Sequence, residues 1–181
     1  MLAGLAAIPA GAAAEEADLE ALVTGEMRSF ALAEREVSSV AFTGPDGAEE
    51  TLADYEGRVV LVNFWATWCA PCREEMPTLA ALQDELGGEE FTVLTVATGR
   101  NPPPALTRFL EEIGTPDLPV ATDPQQRLAR DMAVLGLPVT VLIGADGREV
   151  GRLIGGADWA SDEAVALIEA VMGEGVPGVP G

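Results

Sequence analysis

Cys69 and Cys72 are the only cysteines among the 181 residues, and two residues separate them. A bridge across so short a gap closes a ring too small to stabilise a fold appreciably by chain entropy. Its chemical use lies in opening and closing. Upstream, Val59 to Trp65 is a run of β-branched and aromatic residues that reads as a buried strand. Downstream, the pattern turns helical. A thiol at a helix N-terminus meets unpaired backbone N–H groups and the positive end of the helix dipole. In such motifs the pKa falls from about 8.5 to roughly 3.5–7.5. Cys69 is therefore read as the attacking thiol. Cys72, one turn in and more buried, resolves a mixed disulfide. Pro71 fixes one dihedral between them and limits the geometries open to the pair. The competing reading is a structural or incidental cysteine pair. The strand-to-helix context favours a redox site.

Composition excludes other chemistries. Ten arginines, no lysine, no histidine and thirty acidic residues give a net charge of −20. Nucleic acid and anionic membrane surfaces repel such a chain. The acidity reads either as a solubility adaptation or as a docking face for a basic protein partner. Without histidine there is no imidazole catalysis, and two cysteines cannot build a four-ligand zinc site. No metal site and no cofactor is expected. Two rival uses of the thiolates stay open: copper(I) binding as a chaperone, which suits a soft ion, and peroxide reduction at Cys69. The chain holds no methionine cluster near the cysteines to favour copper.

One domain is expected, with four segments. Residues 1–14 are small, apolar and uncharged, like the core of an export signal, the tail of a membrane anchor or a disordered alanine-rich terminus. They are too few to span a bilayer, which takes about 20 residues. Residues 15–34 read as a helical extension, 35–173 as the folded domain, and 174–181 as a disordered glycine- and proline-rich tail. Within the domain, Val37 to Thr43 and Ala48 to Leu52 flank Gly44-Pro45-Asp46-Gly47 and predict a β-hairpin. Leu52 to Gly57 is a helical turn. After the central strand, Met76, Leu79, Leu82 and Leu86 recur at helical spacing until Gly87-Gly88, with Pro77 expected to kink that helix. Phe91 to Thr98 is a second buried strand, Ala105 to Ile113 a helix, and Leu118 to Thr122 a short strand. Asp123 should cap a helix that turns Leu128, Met132 and Leu135 inward. Val139 to Ile143 and Glu149 to Ile154 form a hairpin. Ser161 caps a last helix with Val165, Ile168, Val171 and Met172 toward the core. The fold class is α/β: a central mixed sheet flanked by helices, with an N-terminal hairpin and an extra helix-strand insertion.

The segment Val62-Asn63-Phe64-Trp65-Ala66-Thr67-Trp68-Cys69-Ala70-Pro71-Cys72-Arg73-Glu74-Glu75-Met76-Pro77 resembles the thioredoxin-like family, in particular its TlpA-like thiol:disulfide interchange proteins. Leu135-Gly136-Leu137-Pro138-Val139-Thr140 and Gly156-Ala157-Asp158-Trp159-Ala160-Ser161-Asp162 resemble it too. The likeness covers roughly Asp18 to Gly173. It implies a thioredoxin-like fold with the Ala105 to Thr122 insertion, and a cis peptide before Pro138, which packs against the active-site disulfide. With Leu137, Pro71 and Trp68, Pro138 would contact substrate. The family has threonine after this proline where Val139 stands here. Thioredoxin has a buried aspartate at the position of Asn63, which cannot titrate. The resemblance implies that Glu75, three residues after Cys72 and on its helix face, takes that role, its pKa raised by burial. It further implies a periplasmic enzyme, anchored by a segment before residue 15, that reduces protein disulfides in cytochrome oxidase copper-centre assembly or cytochrome c maturation. A membrane electron donor would re-reduce it.

Overall fold

The computed structural model describes residues 19–173. Val59–Trp65 forms β4, seven residues buried without exception. The other strands are β1 (Phe30–Glu36), β2 (Phe42–Thr43), β3 (Glu49–Glu50), β5 (Phe91–Thr98), β6 (Val120–Asp123), β7 (Val139–Ile143) and β8 (Arg148–Ile154). They make one sheet in the order β1-β8-β7-β4-β5-β6-β2-β3. β4, β5 and β6 run parallel, while β7, β8 and β1 continue the sheet antiparallel on the other side of β4. Central strands buried on both faces favour apolar residues, which is why β4 and β5 appear in the sequence as near-continuous hydrophobic runs, interrupted only by Asn63 in β4 and by threonines in β5.

The helices are α1 (Ala70–Leu86), α2 (Pro103–Ile113), α3 (Arg127–Asp131) and α4 (Asp162–Gly173). Strand side chains alternate between the two faces. Leu61 and Trp65 of β4 join Met76, Leu79 and Leu82 of α1, Phe109 of α2, and Leu167 and Ile168 of α4 in one core. Val60, Val62 and Phe64 point the other way, to Leu52, Leu128 and Met132. Asn63 has the parity of the first face, so it is delivered to the layer beneath α1. Helix α1 stops before Gly87, whose N–H bonds the Gln83 carbonyl; α2 ends on Gly114 in the left-handed region at φ +76°. The expected α2–β6 insertion is present and extends the sheet beyond β5.

Several expectations need correction. Residues 30–36 are strand β1, paired with β8 from Phe30 opposite Leu153 to Glu36 opposite Arg148. The extension placed over 15–34 is therefore helical only in parts: residues 19–22 and a 3-10 turn at Gly25–Ser29. Residues 15–18, like segments 1–14 and 174–181, lie outside the described residues. The N-terminal hairpin is shorter than predicted, with two-residue strands β2 and β3. Asp123 ends β6, and its carboxylate accepts the N–H groups of Arg127 and Ala129 at 2.9 Å each. The helix it caps begins only at Arg127 and ends at Asp131. Leu128 and Met132 are buried as expected, but Leu135 lies beyond the helix end and is 96% exposed.

Candidate active site

β4 and β7 are antiparallel neighbours, with Phe64 opposite Val139. The chain leaving β4 toward the cysteines therefore passes beside the chain entering β7. Two loops far apart in sequence meet at one end of the sheet. Cys69 is the N-cap of α1, one position ahead of the first helical residue, and its carbonyl accepts the Arg73 N–H at 3.2 Å. Cys69 and Cys72 are bridged, with Cα atoms 5.3 Å apart. Cys72 is fully buried and Cys69 is 5% exposed, so the outer sulfur belongs to Cys69. The Leu137–Pro138 peptide is cis. Pro138 is buried and Leu137 half-buried. Trp68 stands out from the surface, 68% exposed, and Pro71 is exposed beside it. Trp65, expected to be part of the core, is wholly buried, its ring 4.9 Å from that of Phe109. The Arg73 guanidinium lies over the other partner of that stack, 4.8 Å from the Phe109 ring centre.

Glu75 is 2% exposed and points from α1 onto the sheet. The Asn63 amide donates to its Oε1 at 2.8 Å and to Thr140 Oγ1 at 2.9 Å. The Ala157 N–H and the Trp159 indole N–H both donate to its Oε2, at 3.3 Å each. Among the described residues every partner of the carboxylate is a neutral N–H, and none is a cation. Burial dominates and pushes the Glu75 carboxyl up to about 7, while the bonds from Asn63, Ala157 and Trp159 pull it back down. A carboxyl poised there gives and takes protons at neutral pH.

The structure thus brings together Trp68, Cys69, Pro71, Cys72, Glu75, Leu137 and Pro138 at one end of the sheet. Asn63, in the strand beneath, does not titrate but holds Glu75. Sequence reasoning gave Trp159 and Thr140 no role in the site. Trp159 stood in a quoted motif, and its burial is complete. Nothing local to it pointed at an acid 84 residues earlier. Beside Glu75 opens a cavity of about 490 Å³ lined by Glu26, Pro71, Glu74, Gly156 and Asp158 among others.

A family model described as Redoxin matches residues 28–168. The thiol:disulfide interchange protein HelX of Rhodobacter capsulatus is 37% identical over 128 residues, covering 69% of each chain. The thiol-disulfide oxidoreductase ResA of Geobacillus kaustophilus is 35% identical over 136 residues, which cover 71% of this chain and 76% of the relative. Among solved structures, a Chlorobium tepidum protein described as thiol:disulfide interchange protein DsbE superposes with a TM-score of 0.68 at 27% identity. It covers 78% of this chain and 99% of its own.

Proposed function

The chain belongs to the Redoxin family and is a thiol:disulfide oxidoreductase of thioredoxin-like fold, and from that premise we propose that it works as a reductase in which Cys69 attacks, Cys72 resolves and Glu75 takes the proton. The Cys69 thiolate attacks one sulfur of a partner protein's disulfide. The partner's other sulfur leaves as a thiolate, and a mixed disulfide joins the two proteins. Cys72 passes its proton to Glu75 or to water and attacks the Cys69 sulfur. That step closes the Cys69–Cys72 bridge and releases the second partner thiolate. Two electrons have moved from this protein's dithiol to the partner's disulfide. A membrane electron donor then returns the bridge to the dithiol.

The observation that carries this reading is Glu75. A carboxyl three residues past Cys72, buried, with neutral donors only and raised to about 7, suits a group that must be ionised before the resolving step and protonated after it. Trp68, Pro71, Leu137 and Pro138 form the face against which a partner segment lies. The resemblance to TlpA-like proteins supports partners in cytochrome oxidase copper-centre assembly or cytochrome c maturation. It also supports a periplasmic location with a membrane anchor near the N-terminus. No helix of the described residues is long and apolar enough to cross a membrane.

Trapping tests the assignment. Cys72→Ser, incubated reduced in a periplasmic extract, is expected to retain partners as disulfide adducts at Cys69 that dithiothreitol releases. Full reductase turnover by that variant, with no adduct, would refute the roles of the two cysteines.

A further inference from the structure

Residues 155–161 form a strap that crosses the site between β8 and α4. It is pinned at both ends. The Gly155 N–H donates to the Pro138 carbonyl at 2.9 Å, and the Trp159 N–H to Thr78 Oγ1 at 3.0 Å. Thr78 in turn donates to the carbonyl of Glu75 at 2.8 Å. The strap therefore touches the proline loop, the helix that carries Glu75, and the Glu75 carboxylate itself.

At Gly156 the strap is bare. A Cβ built there would lie 3.6 Å from the Pro71 carbonyl oxygen and 3.9 Å from Glu75 Oε2, both ordinary contacts. Gly156 is exposed, and its φ is outside the left-handed region. Backbone geometry does not demand glycine here. The missing side chain instead leaves an opening between the buried carboxyl and the cavity. Among the described residues, the charged groups around that opening are Glu74 on α1, Glu26 on the Gly25–Ser29 turn and Asp158 on the strap, with no arginine in its lining. On the sheet side stand Asn63 and Thr140, which do not titrate near neutrality. In the reduced protein, Cys72 is the further titrating group.

We propose that the strap is the proton port of the resolving step: Trp159 is a positioning residue that holds the Glu75 carboxylate through its indole N–H, and the bare backbone at Gly156 is the opening through which that carboxyl exchanges its proton with solvent. This rests on the reading of Glu75 as the proton acceptor of Cys72. Trp159 favours the ionised acid, because an N–H donor bonds a carboxylate more strongly than a neutral carboxyl. Gly156 favours it too, by admitting water to Oε2.

The reaction of the reduced full chain with dithiobis(nitrobenzoate) separates the steps. Attack by Cys69 displaces one coloured thiolate in a first phase. Attack by Cys72 on the Cys69 mixed disulfide displaces a second, leaving the Cys69–Cys72 bridge. The second-phase rate is followed between about pH 5 and 9 by stopped flow. Trp159→Phe is expected to move its midpoint upward by about one pH unit, the worth of a charged hydrogen bond. Gly156→Val should move it in the same direction and leave the first phase unchanged. Gly156 is exposed, so this variant keeps the fold and carries the test by itself if Trp159→Phe does not fold. Glu75→Gln should lose the inflection near pH 7 and keep only the rise that ionisation of the Cys72 thiol itself imposes. If it does, and both strap variants keep the wild-type midpoint, the port is overturned while the Glu75 assignment stands. A shift in Trp159→Phe alone overturns the opening at Gly156 and keeps the positioning role. Persistence of the inflection in Glu75→Gln sinks the Glu75 assignment, and the port with it.

Discussion

Glu75 should make the oxidised protein measurably less stable as pH rises through neutrality, and Glu75→Gln should abolish that loss. The carboxyl stands at about 7 in the folded protein against 4.5 for an unperturbed glutamate. A folded-state value above the unfolded one means the native state binds the proton more tightly. The stabilisation is therefore complete below about pH 4.5 and is lost progressively as pH passes through about 7. Across that window it amounts to about 3 kcal/mol, at 1.36 kcal/mol per pH unit. That is a large share of the roughly 5–15 kcal/mol typical of a domain. Urea unfolding without reductant, at intervals from about pH 4.5 to 8, measures it. The bridge keeps Cys69 and Cys72 from titrating. Glutamine introduces a constant offset, because its amide cannot reproduce all three N–H contacts to the carboxylate. The slope is what counts, and other carboxylates cancel between the two proteins. A wild-type minus variant difference that stays level within about 0.5 kcal/mol over this range would refute the buried, proton-binding account of Glu75.

Three further outcomes follow from particular contacts. Arg152→Ala should cost about 3–5 kcal/mol, since it strands the buried Glu149 carboxylate that Arg152 holds through two N–H bonds of 2.5 and 2.6 Å; urea unfolding at neutral pH checks it, and Arg152→Met with Glu149→Leu should recover much of the loss. Trp68→Ala should leave stability within about 0.5 kcal/mol, as expected of an exposed side chain. It should slow reduction of a protein disulfide several-fold while sparing the reaction with a small aromatic disulfide. Gly151→Ala would place a Cβ 2.4 Å from Phe30 Cε1 and 2.6 Å from the Ala31 carbonyl. The expected loss is about 1–3 kcal/mol, with faster amide hydrogen exchange confined to β1 and its β8 partners.

The parts of the fold legible in the sequence are those whose signal is local. β4 and β5 are legible as near-continuous apolar runs, because a strand covered on both faces admits a polar residue only with a partner, as Asn63 and Thr95 have. α1 ends at the glycines because Gly87 cannot extend it favourably. The first five residues of β1, Phe30–Glu34, fall within the expected helical extension for an equally physical reason. Phe-Ala-Leu-Ala-Glu-Arg-Glu is rich in helix formers, and it lies at the sheet edge, where pairing with β8 decides its conformation. Leu135 fits a helical spacing, but α3 stops four residues before it. At the site, Cys69, Cys72 and Glu75 lie within one helix and its N-cap and are legible together. Asn63 shows in the sequence only what it lacks, a titrating proton. That its amide ties Glu75 to Thr140 appears only once α1, β4 and β7 are packed.

The distance in sequence between the site's parts has a consequence in time. The two cysteines and Glu75 leave the ribosome together, within one helix and its N-cap. Thr140 follows its partner Asn63 by 77 residues, and Trp159 follows Glu75 by 84. At synthesis rates of roughly 5–20 residues per second, that interval is on the order of ten seconds. Throughout it the chain carries two thiols with neither the strap above them nor β7 beside them. Any oxidant or transport machinery that meets the nascent chain meets an ordinary dithiol peptide. Redox competence waits for the strap: the site is complete only once Trp159 has been made and packed against Glu75.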